Sequence, residues 1–537
     1  MLKRPNILII NPDQMRADAL HHLQNEASVT PNLDRLAQTD GVSFRNAYCQ
    51  NPVCTPSRCS FTTGLYPHVH GHRTMNHMIH NWETTIFREL KDAGYYVWLN
   101  DRNDLLPAQE EGYYDKHADY VFRKSGGVFF HKMDAEVSNP RGEYGDKDYY
   151  SFYRGKIIPH TDNYKTYDDE SVEAAISYIK GRKAEDEQPF CLFLGLNYPH
   201  PPYQVEEPYF SAIDRSKLPP RVQNISFDEN MPSILKTIRK EQNIHDYSEK
   251  DWNELRACYL GMCMKVDYQV GMLCEALQKA KIYDDTAIFF FSDHGDFTGD
   301  YGITEKCQNT FQDCLTNVPL LIKPPKGVEM KAGVCESLVE LVDFYATAMD
   351  FAGVVPSHTQ FGRSLKAVLA NHNKEVRKFV TCEGGRLAEE NHCSEIPTGL
   401  PELSYEYRPR MVAQANPNSH TKATMLRTKD FKYVNRLYET DELYDLKKDP
   451  KETRNVIHMP EYQDIAIKLR KEMLDWYQET CDVVPFQEDA RFPLKEAWEK
   501  IRMNGKLPKE KVDEIDRRIA EGTFSGTDFQ SIMAQIR

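Results

Sequence analysis

Along most of the chain, short uncharged apolar runs alternate with stretches of helical periodicity. Strands buried on both faces read as continuous apolar runs, and the crossovers between parallel strands are usually helices. The alternation therefore points to an α/β fold: a large mixed, mostly parallel sheet flanked by helices. Strands are expected at Asn6–Ile10, Tyr95–Leu99, Phe190–Leu196, Thr286–Phe291 and Val318–Ile322. Thr286–Phe291 carries no charge and is placed at the sheet centre. One helix is expected from Pro31, with Thr30 as its cap and Gly41 as its stop. Others are expected at Ile86–Ala93, Asp168–Lys180, Glu254–Ala280 and Leu338–Phe351.

The texture changes near residue 370. Met425–Thr428 and Phe431–Asn435 flank Lys429-Asp430 as the arms of a hairpin, and Tyr462–Tyr477 reads as a helix. These features divide the chain into a large domain over 1–374, a smaller α+β domain over 375–485 and a charged helical tail over 486–537.

Charge and cysteine usage narrow the function. Lys plus Arg number 67 against 81 Asp plus Glu, a formal charge of −14. This disfavours a nucleic-acid binder, which needs a basic face, but leaves room for a local basic pocket that takes a small anion. No apolar run approaches the ~18–20 residues of a membrane span. Met1–Arg4 is basic, but the apolar run Ile7–Ile10 is too short for a signal peptide. The 13 cysteines are odd in number and lack any CxxC pair, as suits reduced thiols. A cytoplasmic location is expected from these signs, with a trimmed secreted or periplasmic form as the alternative.

Polar, chemically capable residues follow four of the expected strands: Asp13-Gln14, Arg102-Asn103-Asp104, His200 and Asp293-His294. In open α/β sheets, ligands bind beyond the carboxyl ends of the strands. Asp13, Gln14, Asp293 and His294 together offer carboxylate, amide and imidazole donors for a divalent cation. Oxygen ligands suit Ca²⁺ or Mg²⁺, and the imidazole admits Mn²⁺. In Cys54-Thr55-Pro56-Ser57-Arg58, Pro56 suits a first helical turn, and Gly64 ends the helix. Cys54 then lies at a helix N-terminus, a position that favours anions and is expected to lower a thiol pKa.

Cys54-x-Pro56-Ser57-Arg58, with Thr63-Gly64-Leu65-Tyr66-Pro67 after it, resembles the signature of the type I sulfatases of the alkaline phosphatase superfamily. The similarity extends over Asn6–Gln14, Thr30–Asp34, Gly94–Asp104, Pro199-His200-Pro201, Ser292–Gly295, Lys306, Val318–Leu320 and Glu442–Leu446. The resemblance implies a sulfatase whose Cys54 is converted to formylglycine by a maturation enzyme. One hydroxyl of the hydrated aldehyde attacks sulfur, and loss of the proton from the other expels sulfate, so no water need attack a sulfated enzyme. It further implies metal ligation by Asp13, Gln14, Asp293, His294 and the modified Cys54, with Ca²⁺ the family habit. Arg58 is implied to steady the formylglycine oxygen, Lys306 to neutralise the sulfuryl oxygens, and His200 to protonate the leaving alcohol.

Two departures bear on the substrate. Arg102 and Asp104 stand where many sulfatases carry a Lys and a nearby His, and a planar guanidinium meets sulfate differently from an ammonium. Asp104 either takes the proton of the second hydroxyl or pairs with Arg102. Gln14 and His294 replace an Asp and an Asn, a combination shared with relatives that hydrolyse phosphonate and phosphate monoesters. His68, His70, His72, Arg73, Asn76, His77 and His80 crowd the segment after the nucleophile helix; each is read first as part of a polar loop, His70 as a support of the fold, and some of them, with His420, are the candidates for substrate contacts. A sulfate monoester of a saccharide is the expected substrate. The alternatives are an aryl sulfate or a phosphonate or phosphate monoester on the same scaffold, and a non-catalytic anion binder with an unconverted Cys54.

Overall fold

The structure, a computed structural model, describes residues 4–107, 112–123, 143–147, 149–159, 164–223, 231–395, 399–486, 493–503, 505, 507–524, 528, 529 and 532. The strands of the first half are β1 (Asn6–Pro12), β2 (Val42–Tyr48), β3 (Tyr96–Asn100), β4 (Tyr120–Phe122), β5 (Tyr153–Lys156), β6 (Phe190–Leu196) and β7 (Tyr203–Val205). Those of the second half are β8 (Thr286–Phe291), β9 (Leu320–Lys323), β10 (Gly333–Glu340), β11 (Val380–Gly384), β12 (Ala423–Arg427), β13 (Phe431–Arg436) and β14 (Glu442–Asp445).

Eight of them form one sheet in the order β10-β2-β9-β8-β1-β6-β3-β4. All neighbours run parallel except β9, which is antiparallel to both β2 and β8. The central strands are buried on both faces, which is why their sequences do not alternate. Ile7, Ile9, Phe193, Phe289 and Phe291 pack into the core on one face. Leu8, Ile10, Leu192, Leu194, Ile288 and Phe290 pack into the core on the other. The long helix Glu249–Lys279 covers the second face with Leu255, Cys258, Met262, Val266, Val270 and Leu273. It begins ahead of the expected Glu254 because Ser248 and Asp251 form a capping box.

Local differences from the sequence reading have physical causes. Thr30 is the N-cap of the helix Pro31–Thr39, as expected, but its side chain makes no capping bond, and Asp267 takes that part. The Asp267 carboxylate accepts from the Asn32 and Leu33 backbone amides at 3.2 and 2.8 Å. The expected helix Leu338–Phe351 is strand as far as Glu340, paired in register with β2, and helix only from Val342. The apolar residues on both sides of Glu340 hide the switch. The expected strand Val318–Ile322 begins at Leu320, although Val318 still donates its N–H to Ala47 O of β2.

The strands β11–β14 form a second, antiparallel sheet. Val380, Cys382, Ala423, Met425 and Val434 share the core of the large sheet. On its other side Tyr433 and Leu443 pack with Leu469, Met473 and Trp476 of helix Gln463–Thr480. Met1–Pro356 and Gln360–Asp482 make one compact unit, and Ser357–Thr359 with Val483–Arg537 a second. The second unit carries its own small core around Trp498, Ile515, Phe524 and Ile532. None of the 13 cysteines forms a disulfide. Among the described residues, no helix is long and apolar enough to cross a membrane.

Candidate active site

The carboxyl ends of β1, β3, β6 and β8 deliver Asp13, Arg102, His200 and Asp293 to one edge of the sheet. The loop ends are tied together: Ser292 Oγ donates to Pro12 O at 2.9 Å and accepts from the Met15 N–H at 2.7 Å. Gly195 lets the Arg102 loop approach, since a Cβ there would meet Arg102 O at 2.1 Å. The helix Cys54–Thr63 enters from Val53, and all ten of its residues are buried. Ser57 Oγ donates to Asp293 O at 2.6 Å, which sets the first turn of that helix against the end of β8.

Asp13, Cys54, Asp293 and His294 converge, with one ligand-type atom from each within 4.8 Å of all the others. Cys54 Sγ is 3.3 Å from His294 Nε2 and 3.6 Å from Asp13 Oδ1. His294 Nε2 is 3.5 Å from Asp13 Oδ1 and 3.7 Å from Asp293 Oδ1. His294 Nδ1 lies 2.9 Å from Gly295 O, which assigns the proton to Nδ1 and leaves the Nε2 lone pair facing the cluster. Two carboxylates and an imidazole at these separations fit one divalent cation.

Gln14, at φ 70°, donates its backbone N–H to Asp293 Oδ1 and its side-chain amide to Asp296 Oδ2. Its amide oxygen accepts from Lys306 Nζ at 2.6 Å. Arg58 spends its guanidinium on the carboxylates, with Nε on Asp293 Oδ2 at 2.8 Å and Nη2 on Asp13 Oδ2 at 3.0 Å. Its remaining nitrogen donates to the Asn103 carbonyl. Arg58 thus orients the two aspartates. Arg102 bridges Asp13 Oδ2 and Asp104 Oδ2, both at 2.7 Å, and also donates to Asn197. Asp104 is therefore paired with Arg102. His200 Nδ1 stands 2.6 Å from Pro201 O, so Nε2 is its lone-pair nitrogen.

The electrostatics follow from burial and these pairs. Burial alone would raise Asp13, but Arg102, Lys306, His200 and Arg58 hold it well below the usual carboxylate range. Burial and the Lys306 charge hold His200 well below the ordinary imidazole value. The expected depression of the Cys54 thiol is not found. Burial first, and then Asp13, push it well above the ordinary thiol value despite its helix N-terminus. An unmodified Cys54 is therefore protonated at neutral pH.

The histidine-rich segment is occupied internally. His68 pairs with Glu383 and Thr480 O. His70 and His72 both meet Glu83, at 2.5 and 2.9 Å. His77 bonds Thr74, and Arg73 bonds Gly385 O and Glu390. Asn76 donates to Ser394 O, and His80 gives its backbone N–H to Glu83. His420 is buried against Gln308. The sequence reading did not single out Asp296, Asn197 or Tyr203, whose hydroxyl holds Asp296 at 2.8 Å. Asp296 sits in the same short loop as Asp293 and was the most accessible of these to inspection.

The chain is 26% identical over 528 residues to a multifunctional alkaline phosphatase superfamily protein of Trinickia caryophylli, covering 88% of this chain and 95% of that one. The chain belongs to the sulfatase family: the Sulfatase model matches residues 5–354, and the model of the N-sulphoglucosamine sulphohydrolase carboxyl-terminal region matches residues 403–479. It is a sulfuric ester hydrolase. It is 26% identical over 539 residues to an N-acetylglucosamine-6-O-sulfatase of Bacteroides thetaiotaomicron, covering 89% of this chain and 86% of that one. It is 27% identical to an arylsulfatase of Clostridium perfringens, covering 87% and 93%. A phosphonate monoester hydrolase of Agrobacterium radiobacter shares the fold with a TM-score of 0.70 at 22% identity, covering 89% of this chain and 96% of that one. A protein solved with its substrate D-glucosamine-2-N,6-O-disulfate does so with a TM-score of 0.64 at 23% identity, covering 91% and 100%.

Proposed function

We propose that this enzyme hydrolyses a sulfate monoester of a saccharide, using formylglycine made from Cys54 and one divalent cation. The observation that carries the reading is the convergence of residue 54 with Asp13, Asp293 and His294 at the strand edge, beside two buried arginines and a buried lysine. The high thiol pKa supports it: as cysteine, residue 54 is a poor nucleophile in this place.

Asp13, Gln14, Asp293, His294 and residue 54 would hold the cation, with Ca²⁺ first and Mg²⁺ or Mn²⁺ as alternatives. Bound there, it would lower the pKa of the attacking hydroxyl and polarise a sulfate oxygen. Arg58 and Arg102 fix the Asp13 carboxylate from two sides. Lys306 supplies positive charge where the sulfuryl oxygens gain negative charge. His200 rests neutral with its lone pair on Nε2. It takes up a proton there from solvent when an anionic substrate offsets Lys306 and Arg102, and gives that proton to the leaving alcohol. The maturation enzyme that oxidises Cys54 is the implied partner.

The saccharide preference draws on the relatives named for N-acetylglucosamine-6-O-sulfate and N-sulphoglucosamine. The Gln14 and His294 donor set supports a second reading, a phosphonate or phosphate monoester. Turnover of a panel of sulfated hexosamines, aryl sulfates and phenyl phosphonates decides between them. The first reading expects the highest kcat/KM on a sulfated sugar, and phosphonate turnover above every sulfate would overturn it.

A further inference from the structure

A line of alternating charges leads from Lys306 into the carboxyl-terminal part of the chain. Besides its bond to Gln14, Lys306 Nζ stands 3.4 Å from Glu305 Oε1. Glu305 receives Arg410 Nη1 at 3.1 Å on Oε1 and 3.4 Å on Oε2. Arg410 Nε donates to Glu395 Oε2 at 3.1 Å, and its guanidinium lies 4.7 Å over the Tyr407 ring. The Lys306 and Glu305 side chains are 2% and 3% exposed, and Arg410 only 13%, so these charges act on one another with little screening.

Glu305 cannot easily turn away. Its backbone is left-handed at φ 65°. Its N–H donates to Tyr203 Oη at 2.9 Å, and its carbonyl accepts from the Phe297 N–H at 3.1 Å. Tyr203 also holds Asp296, which holds the Gln14 amide. A fixed carboxylate beside a buried ammonium pulls on it and cancels its charge. A second cation on the same carboxylate divides that pull.

We propose that Arg410 is a positioning residue: by occupying the Glu305 carboxylate, it keeps the Lys306 ammonium on Gln14 and available to the anionic group of the substrate. The proposal rests on the reading of Lys306 given above. It makes the helix Arg408–Ala415, which lies in the region matched by the second family model, part of the support of the reacting site.

The test compares kcat and KM of the matured, metal-loaded full chain with those of its variants, with a Tm for each. Arg410→Met is expected to lower kcat about tenfold with KM within about twofold, and Arg410→Lys to retain most of kcat. In a Glu305→Gln background the loss caused by Arg410→Met should shrink to within about twofold, because the pull it restrained is gone. An equal loss in both backgrounds would overturn the proposal. So would a raised KM at unchanged kcat, which would make Arg410 a substrate contact. If Arg410→Met does not fold, Arg410→Gln in the two backgrounds decides by the same comparison. Lys306→Ala separates the two layers: an unchanged kcat there refutes the reading of Lys306. A large loss there, with no rescue by Glu305→Gln, refutes only the role of Arg410.

Discussion

Two buried clusters of imidazole and carboxylate lie in this molecule, and they differ in spacing. At the strand edge His294 Nε2 stands 3.5 and 3.7 Å from the Asp13 and Asp293 oxygens. Behind the nucleophile helix His70 and His72 touch Glu83 at 2.5 and 2.9 Å. The second cluster is satisfied by its own hydrogen bonds. The first holds like-charged carboxylates together at distances too long for hydrogen bonds between imidazole and carboxylate, with an imidazole lone pair aimed among them. Composition alone does not distinguish the two, and spacing does: groups that bond one another support the fold, while groups held just apart can take a cation.

The largest effects should come from the strand edge. Cys54→Ala should abolish turnover, by at least about a thousandfold, with Tm changed little. Asp293→Asn should lose the bound metal, and metal analysis of the purified chain should show it. In Glu83→Gln the metal content should stay at the parent value; its loss there would erase the distinction between the clusters.

Lys306→Ala should rank next, with kcat lowered about a hundredfold and KM changed far less, as steady-state kinetics would show. An unchanged kcat would remove the lysine from the account.

The smallest effects belong to the histidine cluster and appear in stability. Burial would raise Glu83, but His70, His72 and the His80 N–H lower it to about 2. A carboxylate lowered on folding contributes stability above its unfolded pKa, and that contribution is lost as pH falls through the folded value. Glu83→Gln should therefore lower Tm near pH 7, with a cost of about 1–3 kcal/mol. The gap to the parent should close as pH falls from about 4.5 to about 2, since the unfolded glutamate titrates near 4.3. A gap that persists unchanged at low pH would contradict the pairing.

The contrast between the clusters marks what could be read in the sequence. The sheet was legible because β1, β6 and β8 are continuous apolar runs, and Asp13, Asp293 and His294 were legible as polar residues just past such runs. Cys54 and Arg58 stood out through the residues around them. The switch from β10 to helix was hidden, because both sides of Glu340 are equally apolar. The rise of the Cys54 thiol pKa was not legible, because local helix geometry is visible in sequence, whereas its burial and then the opposing carboxylates past β1 and β8 come from the packed chain. His70 was legible as a support of the fold, and it pairs with Glu83; the partners themselves, Glu83 and Glu383, which occupy three of the histidines, lie at separations that periodicity does not reveal. Arg410 was invisible for the same reason: its partner Glu305 is a hundred positions away, and only the packed chain joins them.

The most direct test is peptide mass spectrometry of residue 54, joined to metal analysis of the same protein matured in its native host. The account predicts an aldehyde at position 54 together with one divalent ion per chain. A plain thiol with no bound metal would contradict it.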